Sequence, residues 1–433
     1  MKKIIAVIIL SGLLFSADAS FAGSDAEYIK VGLAFGSRAV SSAVLKCVDG
    51  FVLTDISYGA PERIQHFPYS VQLTFDARSG RIAVRDGDGT VIVENLGADM
   101  CLLPDGGLLT YDDKPFRGGI CLKMNANGRM DVINYITLEE YLYGVLNSEM
   151  GYQNPLEALK AQAVTARSFA LGNMEKHNSD GFNLCTDVHC QVYKGYSDEH
   201  SATNAAVDET SGMVMTYGGK TVAGYYFKNS GGHTLSADDV WGGKSPYLIG
   251  VKDEYSPEYL WNHSLSFKEI RAGLEAAGHS IGNVRGASIT GRNAAGAVST
   301  VEFRGTSGTV VLKNENIRAV FGGTNVRSLT FSFGTGTAGE NEVIHVLGAG
   351  DTVQKMKPQD VFVISGDGLS KLVDYGYTAS ERFESVADEP VVFCGSGYGH
   401  GVGMPQDSAI AMAKLGFSFE EILKYFYTGI EIQ

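Results

Sequence analysis

The chain has 433 residues, with 35 basic against 49 acidic side chains and a formal net charge of −14. This acidic balance, without a run of lysine or arginine, argues against nucleic acid or an anionic membrane surface as the partner. The length exceeds that of one ordinary domain, and 54 glycines among many Tyr, Phe and Val residues predict a strand-rich protein with many tight turns.

The first 22 residues have the pattern of a secretory signal peptide. Two lysines form a basic start, residues 4–15 are apolar, and small residues follow. The apolar stretch is too short for a confident membrane span. We expect cleavage after Ala19 or Ala22 and an exported protein at the cell wall or the outer face of the membrane; without cleavage the segment would act as an anchor.

The rest of the chain alternates between strand and helix patterns, which predicts an α+β protein. Short alternating runs over residues 28–136 indicate antiparallel strands, and helical patterns follow at 138–147 and 155–176. We assign residues 23–261 to this β-rich region with its helical core. Residues 262–392 contain one amphipathic helix and many short β runs, which predict a mostly-β lobe, and residues 393–433 contain a glycine loop and two helices.

Glu149 is the candidate acid of this sequence. Thr137 and Glu140 form a capping-box pattern that starts a helix, and we expect that helix to end near residues 144–147. Asn154 followed by proline marks the start of the next helix. Glu149 is therefore predicted to lie in a short connection between buried helices, where a carboxyl group is held rigidly and partly desolvated.

Two cations on the second helix are candidate ligands of a substrate. Lys160 and Arg167 lie seven residues apart, two turns along the helix, and so share one stripe. They either contact substrate or form structural ion pairs. One structural alternative pairs Arg167 with Glu149 itself.

Two glycine-containing segments supply further candidates. Ser230 precedes a glycine pair in residues 225–253, which suggests main chain brought close to a ligand. His400 and Gln406 belong to the sequence GYGHGVGMPQ, which lacks the Lys and Ser/Thr of a phosphate-binding loop. Ser230, His400 and Gln406 are therefore candidate residues of a substrate groove, although such residues are often only structural.

A cluster of cysteine and histidine permits three interpretations. His177, Cys185, His189 and Cys190 supply the four N/S ligands of a structural zinc site. Alternatively, Cys185 and Cys190 form a disulfide, or both remain free thiols. The other four cysteines are either buried apolar residues or members of one or two disulfides that the sequence cannot pair.

Three segments in this order resemble the stage II sporulation protein D family, whose domain is shared with amidase-enhancer proteins. They are SEMGYQNPLEALKAQAVTARSFAL, NSGGHTLSADDVWGGKSPYL and GYGHGVGMPQDSAIAMAKLGFSFEEILKYFY. The family often has proline after the Glu-Met pair, where this chain has Gly151, a change expected to loosen the loop. Because the third segment is needed beside the first two, the mostly-β lobe is expected to be an insertion that flanks a substrate groove.

The resemblance implies an exported peptidoglycan lytic transglycosylase that acts on glycan strands whose stem peptides have been removed. In endospore formers this activity belongs to forespore engulfment, with a partner amidase or endopeptidase. Clostridial relatives are understood to carry zinc near the Cys/His cluster, where the metal would hold a loop. The chemistry itself would need no cofactor.

One acid suffices for this reaction. In a lytic transglycosylase the C6 hydroxyl of N-acetylmuramic acid attacks its own anomeric carbon, so the second carboxylate of an ordinary glycosidase is not required. Desolvation of Glu149 would raise its pKa and keep it protonated for general acid catalysis. The alternatives are a non-enzymatic peptidoglycan-binding enhancer of an amidase and, third, a zinc amidase.

Overall fold

A computed structural model describes residues 27–57, 61–68, 72–78, 80–335, 344–347, 353–356, 362–365, 368–371, 378–384 and 390–433. The protein has an α+β fold, as the sequence predicts. The signal-peptide prediction at residues 1–22 lies outside the described residues. Within them, no helix is long and apolar enough to cross a membrane.

The N-terminal region forms two sheets. Its strands are β1 (Tyr28–Ala34), β2 (Ser42–Lys46), β3 (Phe51–Asp55), β4 (Glu62–Phe67), β5 (Gln72–Arg78), β6 (Arg81–Arg85), β7 (Val91–Val93), β8 (Met100–Pro104), β9 (Leu109–Tyr111), β10 (Lys114–Phe116), β11 (Gly119–Met124), β12 (Met130–Thr137) and, further along the chain, β13 (Leu184–Cys185). Among the described residues, one sheet has the order β13-β1-β12-β11-β8-β3-β4 and the other has the order β10-β9-β2-β5-β6-β7.

The first sheet is buried on both faces, and β12 shows why. Side chains of a strand point alternately to opposite faces. Ile133 and Tyr135 pack into a core shared with the helices, whereas Met130 and Val132 pack into a second core shared with the other sheet. The helix that carries Glu149 therefore packs on a sheet whose opposite face is also buried.

The structure pairs two of the four cysteines that the sequence left open. Cys101 on β8 and Cys121 on β11 lie directly opposite each other and form a disulfide. Cys47 is a buried free thiol and Cys394 is a half-buried one.

The helices of the core are α1 (Leu138–Met150), α2 (Leu156–Gly172) and α3 (Ser201–Asp208). The predicted start of α1 is confirmed, because the Thr137 hydroxyl accepts the main-chain N–H of Glu140. The predicted end was wrong, since α1 continues to Met150. Gly144 lies within the helix as a packing residue, because a Cβ there would lie 2.6 Å from the Tyr193 ring.

The rest of the chain forms a second group of strands and then returns to the core. These elements are β14 (Met215–Tyr217), β15 (Lys220–Thr221), β16 (Tyr226–Phe227), α4 (Ala237–Trp241), β17 (Leu260–Leu265), α5 (Phe267–Ala276), β18 (Val284–Arg292), β19 (Val298–Gly305), β20 (Thr309–Lys313), α6 (Glu315–Phe321), β21 (Phe331–Thr335), β22 (Ile344–Leu347), β23 (Val353–Met356), β24 (Phe362–Ser365), β25 (Gly368–Lys371), β26 (Thr378–Ser380), β27 (Arg382–Glu384), β28 (Val391–Ser396), β29 (Met404–Pro405), α7 (Gln406–Lys414), α8 (Phe419–Phe426) and β30 (Glu431–Ile432).

The pairing of these strands places the C-terminal segment beside Glu149. The chain enters the second group of strands along β17 and leaves it along β28, which pairs with β17. Beyond β28, β29 pairs with β16, β30 pairs with β14, and α7 and α8 pack against α2. The start of α7 therefore meets the end of α1.

Candidate active site

Glu149 lies in the last turn of α1, not in the connection that follows it. The residue is half-buried, and its carboxyl group accepts two hydrogen bonds, one from the main-chain N–H of Val192 at 3.0 Å and one from the hydroxyl of Tyr226. Val192 and Tyr226 are far from Glu149 in the sequence. The contacts bring three separate segments of the chain together at one carboxyl group.

Burial raises the pKa of the Glu149 carboxyl above its usual range. The two hydrogen bonds and the charge of Lys194 act in the opposite direction, but desolvation is the largest effect. The last turn of a helix also carries the negative end of its dipole, which disfavours a carboxylate. The site therefore favours the protonated acid more than water does.

The main chain of Glu149 also has a hydrogen-bond partner outside its helix. The buried amide group of Gln406 donates a hydrogen bond of 2.9 Å to the carbonyl oxygen of Glu149. A carbonyl in the last turn of a helix has no partner within the helix. Gln406 supplies that partner and joins α7 to α1. Its side chain therefore bonds to the main chain of Glu149 and not to the carboxyl oxygens.

Gly151 ends α1 in a conformation that proline cannot adopt. Its φ is +76°, and its N–H bonds to the carbonyl of Asn147. The loop is further tied down by the Asn154 side chain, which donates to the carbonyls of Met150 and Gly151. The expectation that Gly151 loosens this loop stays a prediction, while its main-chain bond defines the end of the helix.

A buried polar network holds the Tyr226 hydroxyl in place. The amide group of Gln191 donates to that hydroxyl at 3.2 Å and accepts from the Tyr141 hydroxyl at 3.3 Å. Burial raises the pKa of Tyr226, so its hydroxyl keeps its proton and can donate to Glu149. Val192, Gln191 and Tyr226 were not predicted as site residues. Nothing in the sequence spacing around Tyr226 indicates a contact with Glu149.

Arg167 is a structural residue, so its assignment as a substrate ligand was wrong. Its guanidinium group is 1% exposed and binds both carboxylate oxygens of Glu139, at 2.8 and 2.6 Å. It also donates to the carbonyl of Met213. The suggested pair between Arg167 and Glu149 was wrong as well, because Glu139 takes that place.

Lys160 also forms structural ion pairs. Its Nζ lies 2.7 Å from a carboxylate oxygen of Glu209 and 3.1 Å from one of Glu157. These two acids hold the ammonium group between α2 and the end of α3. These ion pairs favour the structural alternative for Lys160.

Ser230 belongs to a buried hydrogen-bond cluster. Its hydroxyl donates to Asp253 at 2.5 Å and accepts the N–H of Gly232, while Ser408 donates to the same carboxylate oxygen at 2.6 Å. Ser230 therefore links the segments before β17 and within α7. It has no contact with Glu149 in the described structure.

His400 bonds to the main chain of Tyr226, a residue whose hydroxyl contacts Glu149. Its Nδ1 accepts the N–H of Val402 and its Nε2 lies 3.0 Å from the carbonyl oxygen of Tyr226, to which it donates. Burial lowers the pKa of His400 to about 4, so the ring is neutral near pH 7. His400 holds the main chain of Tyr226, and the proposed direct contact with substrate is replaced by this positioning role.

His177, Cys185, His189 and Cys190 converge on one point. Their four ligand atoms lie within 4.8 Å of one another. The His189 Nδ1 is 3.2 Å from the His177 Nε2 and 3.7 Å from each sulfur. The disulfide alternative was wrong, because both cysteines are free.

The geometry of this cluster fits zinc. Donor atoms of a tetrahedral zinc site with two nitrogens and two sulfurs are about 3.3–3.8 Å apart. Asp180 lies 2.9 Å from the Nδ1 of His177, the usual second partner that turns a histidine toward a metal. Cys190 directly precedes Gln191 and Val192, so this cluster adjoins the segment that contacts Glu149.

One cavity lies elsewhere. A space of about 610 Å³ is lined by residues of α5, β20 and α6, including Gly273, Leu312 and Asn316. Glu149 does not line it.

Comparisons with known proteins identify the family of this chain. The model of a family described as Stage II sporulation protein matches residues 126–217, a range that contains Glu149 and the Cys/His cluster. An uncharacterized protein of Brachyspira hyodysenteriae is 30% identical over 71% of this chain and 69% of its own length. Stage II sporulation protein D of Bacillus amyloliquefaciens is 29% identical over 69% of this chain and 75% of its own. The chain belongs to the stage II sporulation protein D family.

Family membership confirms the resemblance inferred from the three sequence segments. The amidase enhancer of Bacillus subtilis is also similar, with 30% identity over 66% of this chain, but the match spans only 39% of that longer protein.

Variants of the Arg167–Glu139 pair test whether Arg167 is a structural residue or a substrate ligand. Replacing one member of a buried ion pair leaves the other charge uncompensated, so Arg167→Met should lower the free energy of unfolding by about 3 kcal/mol. Adding Glu139→Gln should restore part of that loss, as measured by urea denaturation of the single and double variants. If Arg167→Met leaves stability unchanged and only weakens binding to glycan strands, the structural assignment is wrong.

Proposed function

We propose that this protein is an exported lytic transglycosylase. It cleaves the bond between N-acetylmuramic acid and N-acetylglucosamine in denuded peptidoglycan and leaves 1,6-anhydro ends. The observation that carries the proposal is the raised pKa of a partly exposed Glu149, whose carboxyl group is fixed by Val192 and Tyr226. In the described part of the chain, the groups that act on this carboxyl are Val192, Tyr226 and Lys194, and none of them is a carboxylate.

A single acid accounts for every proton in this reaction. Protonated Glu149 gives its proton to the leaving O4 of N-acetylglucosamine while the C1–O4 bond breaks. The C6 hydroxyl of N-acetylmuramic acid forms a bond to C1, and its proton passes to the Glu149 carboxylate. The N–H of Val192 and the hydroxyl of Tyr226 stabilise the carboxylate between these steps.

Location and partners follow from the same set of observations. The family and the names of its relatives support a role at the cell wall, and sporulation engulfment is the proposed setting. The Cys101–Cys121 disulfide supports export, since disulfides persist in oxidising compartments. The proposed partners are peptidoglycan strands and a cell-wall amidase or endopeptidase that removes the stem peptides.

Zinc is the proposed structural cofactor. His177, Cys185, His189 and Cys190 would hold it, and four protein ligands leave no open position for substrate or water. This closed ligand set argues against the zinc-amidase alternative. When bound, the metal supplies a rigid anchor for the segment from Cys190 to Val192.

A non-catalytic enhancer of an amidase is the second candidate. The similarity to the amidase enhancer of Bacillus subtilis favours it. The surface around Glu149 would then bind glycan strands without cleaving them. Glu149 would have no role in the stimulation of the amidase.

Product analysis of the Glu149→Gln variant separates the two functions. Because general acid catalysis contributes about 10²–10⁴-fold, the variant should lose anhydro-ended fragments by at least the lower factor. Mass spectrometry of purified denuded strands after incubation measures these fragments. Glu254→Gln is the matched control, since it removes an exposed carboxylate at the surface and should leave the product yield unchanged.

The outcome that contradicts catalysis is equally direct. If Glu149→Gln and the parent protein give the same fragments, Glu149 is not the acid. If neither gives fragments and both stimulate an amidase equally, the enhancer function replaces the enzyme.

The zinc content of the purified protein can be measured directly. Elemental analysis of the purified protein should find about one zinc per chain, and Cys190→Ser should lose most of it. Metal loss should also speed hydrogen exchange of the Val192 amide, because the anchor of its segment is gone. Cys394→Ser, which changes a cysteine outside the cluster, should keep the metal. Full-length protein that holds no zinc would contradict the proposal.

A further inference from the structure

Lys194 is a cation on the segment that bonds to Glu149. Two residues before it, the N–H of Val192 binds Glu149, and the N–H of Lys194 itself donates to the carbonyl of Gly144 on α1 at 3.2 Å. Its main chain is therefore fixed against the helix that carries the acid. The charge of Lys194 also acts on the Glu149 carboxyl, in the direction that lowers its pKa.

The side chain of Lys194 has a weak partner and remains accessible. Its Nζ lies 3.7 Å from Asp198, and the lysine side chain is 58% exposed. The second oxygen of Asp198 accepts a 2.6 Å hydrogen bond from Ser148, the residue before Glu149. An exposed ion pair at this distance contributes little, so the ammonium group is available to another anion.

This availability distinguishes Lys194 from the cations that the sequence suggested. Lys160 is held between Glu157 and Glu209, and Arg167 is buried against Glu139. Neither can turn toward a ligand without breaking its ion pairs. Lys194 loses only a long contact with Asp198.

The proposed substrate carries a matching anion. When an amidase removes a stem peptide, the lactyl group of N-acetylmuramic acid changes from a neutral amide to a free carboxylate. A denuded strand therefore has one negative charge on each N-acetylmuramic acid. A protein with a net charge of −14 repels such a strand unless a cation lies at the site of binding.

We propose that the Lys194 ammonium group binds the free lactyl carboxylate of the N-acetylmuramic acid that lies next to Glu149. This inference rests on the proposed glycan substrate and adds the group that recognises its denuded form. A strand that keeps its stem peptide has an amide at that position and loses the ion pair. Lys194 thereby makes the protein select strands that an amidase has already processed.

Binding to two matched strands tests the proposal without relying on catalysis. Fluorescently labelled denuded strands are compared with the same strands after their lactyl carboxylates have been converted to methylamides. Both are titrated into the Glu149→Gln variant, which does not consume them. We expect the carboxylate strands to bind about fivefold tighter, the effect of one partly exposed ion pair, and the difference to shrink at high salt.

Removing the charge should abolish this difference. In the Glu149→Gln background, Lys194→Gln should bind the two strands equally, whereas Lys194→Arg should keep most of the preference. Lys313→Gln is the matched control, because it removes an exposed charge from β20 and should leave the ratio unchanged. The ratio of the two affinities also cancels any general effect of a variant on folding.

The results separate this inference from the proposed catalysis. A preference for carboxylate strands that survives Lys194→Gln overturns the role of Lys194, as does a parent protein that binds both strands equally or binds neither. A preference that depends on Lys194 supports the subsite even if the protein with Glu149 produces no anhydro ends. That last combination would reject the transglycosylase and retain a protein that selects denuded strands.

Discussion

A hydrogen bond from the Val192 N–H to the Glu149 carboxyl group, at the buried end of α1, is the contact on which the site depends. Burial penalises the charged acid, and the bonds from Val192 and Tyr226 offset only part of that penalty. The result is a carboxyl group of fixed orientation and raised pKa. A general acid requires both properties, because it must hold a proton and aim it at one oxygen atom.

Residues far apart in the chain meet at this one carboxyl group. Cys190 of the Cys/His cluster lies two residues before Val192, His400 holds the main chain of Tyr226, and Gln406 holds the main chain of Glu149. A catalytic group needs supporting residues that keep it within fractions of an ångström of its working position. Under the proposed function, this requirement accounts for the return of the C-terminal segment to α1 and α2 after the second group of strands.

The sequence predicted the local features well and the tertiary contacts poorly. The start of α1 at Thr137 follows from a capping pattern, and the four Cys/His residues have spacings that suit a metal. The predicted end of α1 was too early. Glycine usually weakens a helix, but Gly144 lies inside α1 because a larger side chain would collide with the Tyr193 ring. The partner of Arg167 could not be predicted, since it lies 28 residues away on a neighbouring helix. Tyr226 and Lys194 likewise reach the site only through the folding of distant segments.

The most direct measurement is the pKa of the Glu149 side chain in the folded protein. Carbon-13 NMR of protein labelled at the glutamate carboxyl carbon follows its titration, and the signal missing from Glu149→Gln assigns it. We expect a midpoint above the ordinary value of about 4.3 for glutamate, so that the acid keeps its proton to higher pH. A midpoint at or below that value would mean that the hydrogen bonds and Lys194 outweigh burial, and Glu149 would then be a carboxylate that cannot begin the reaction.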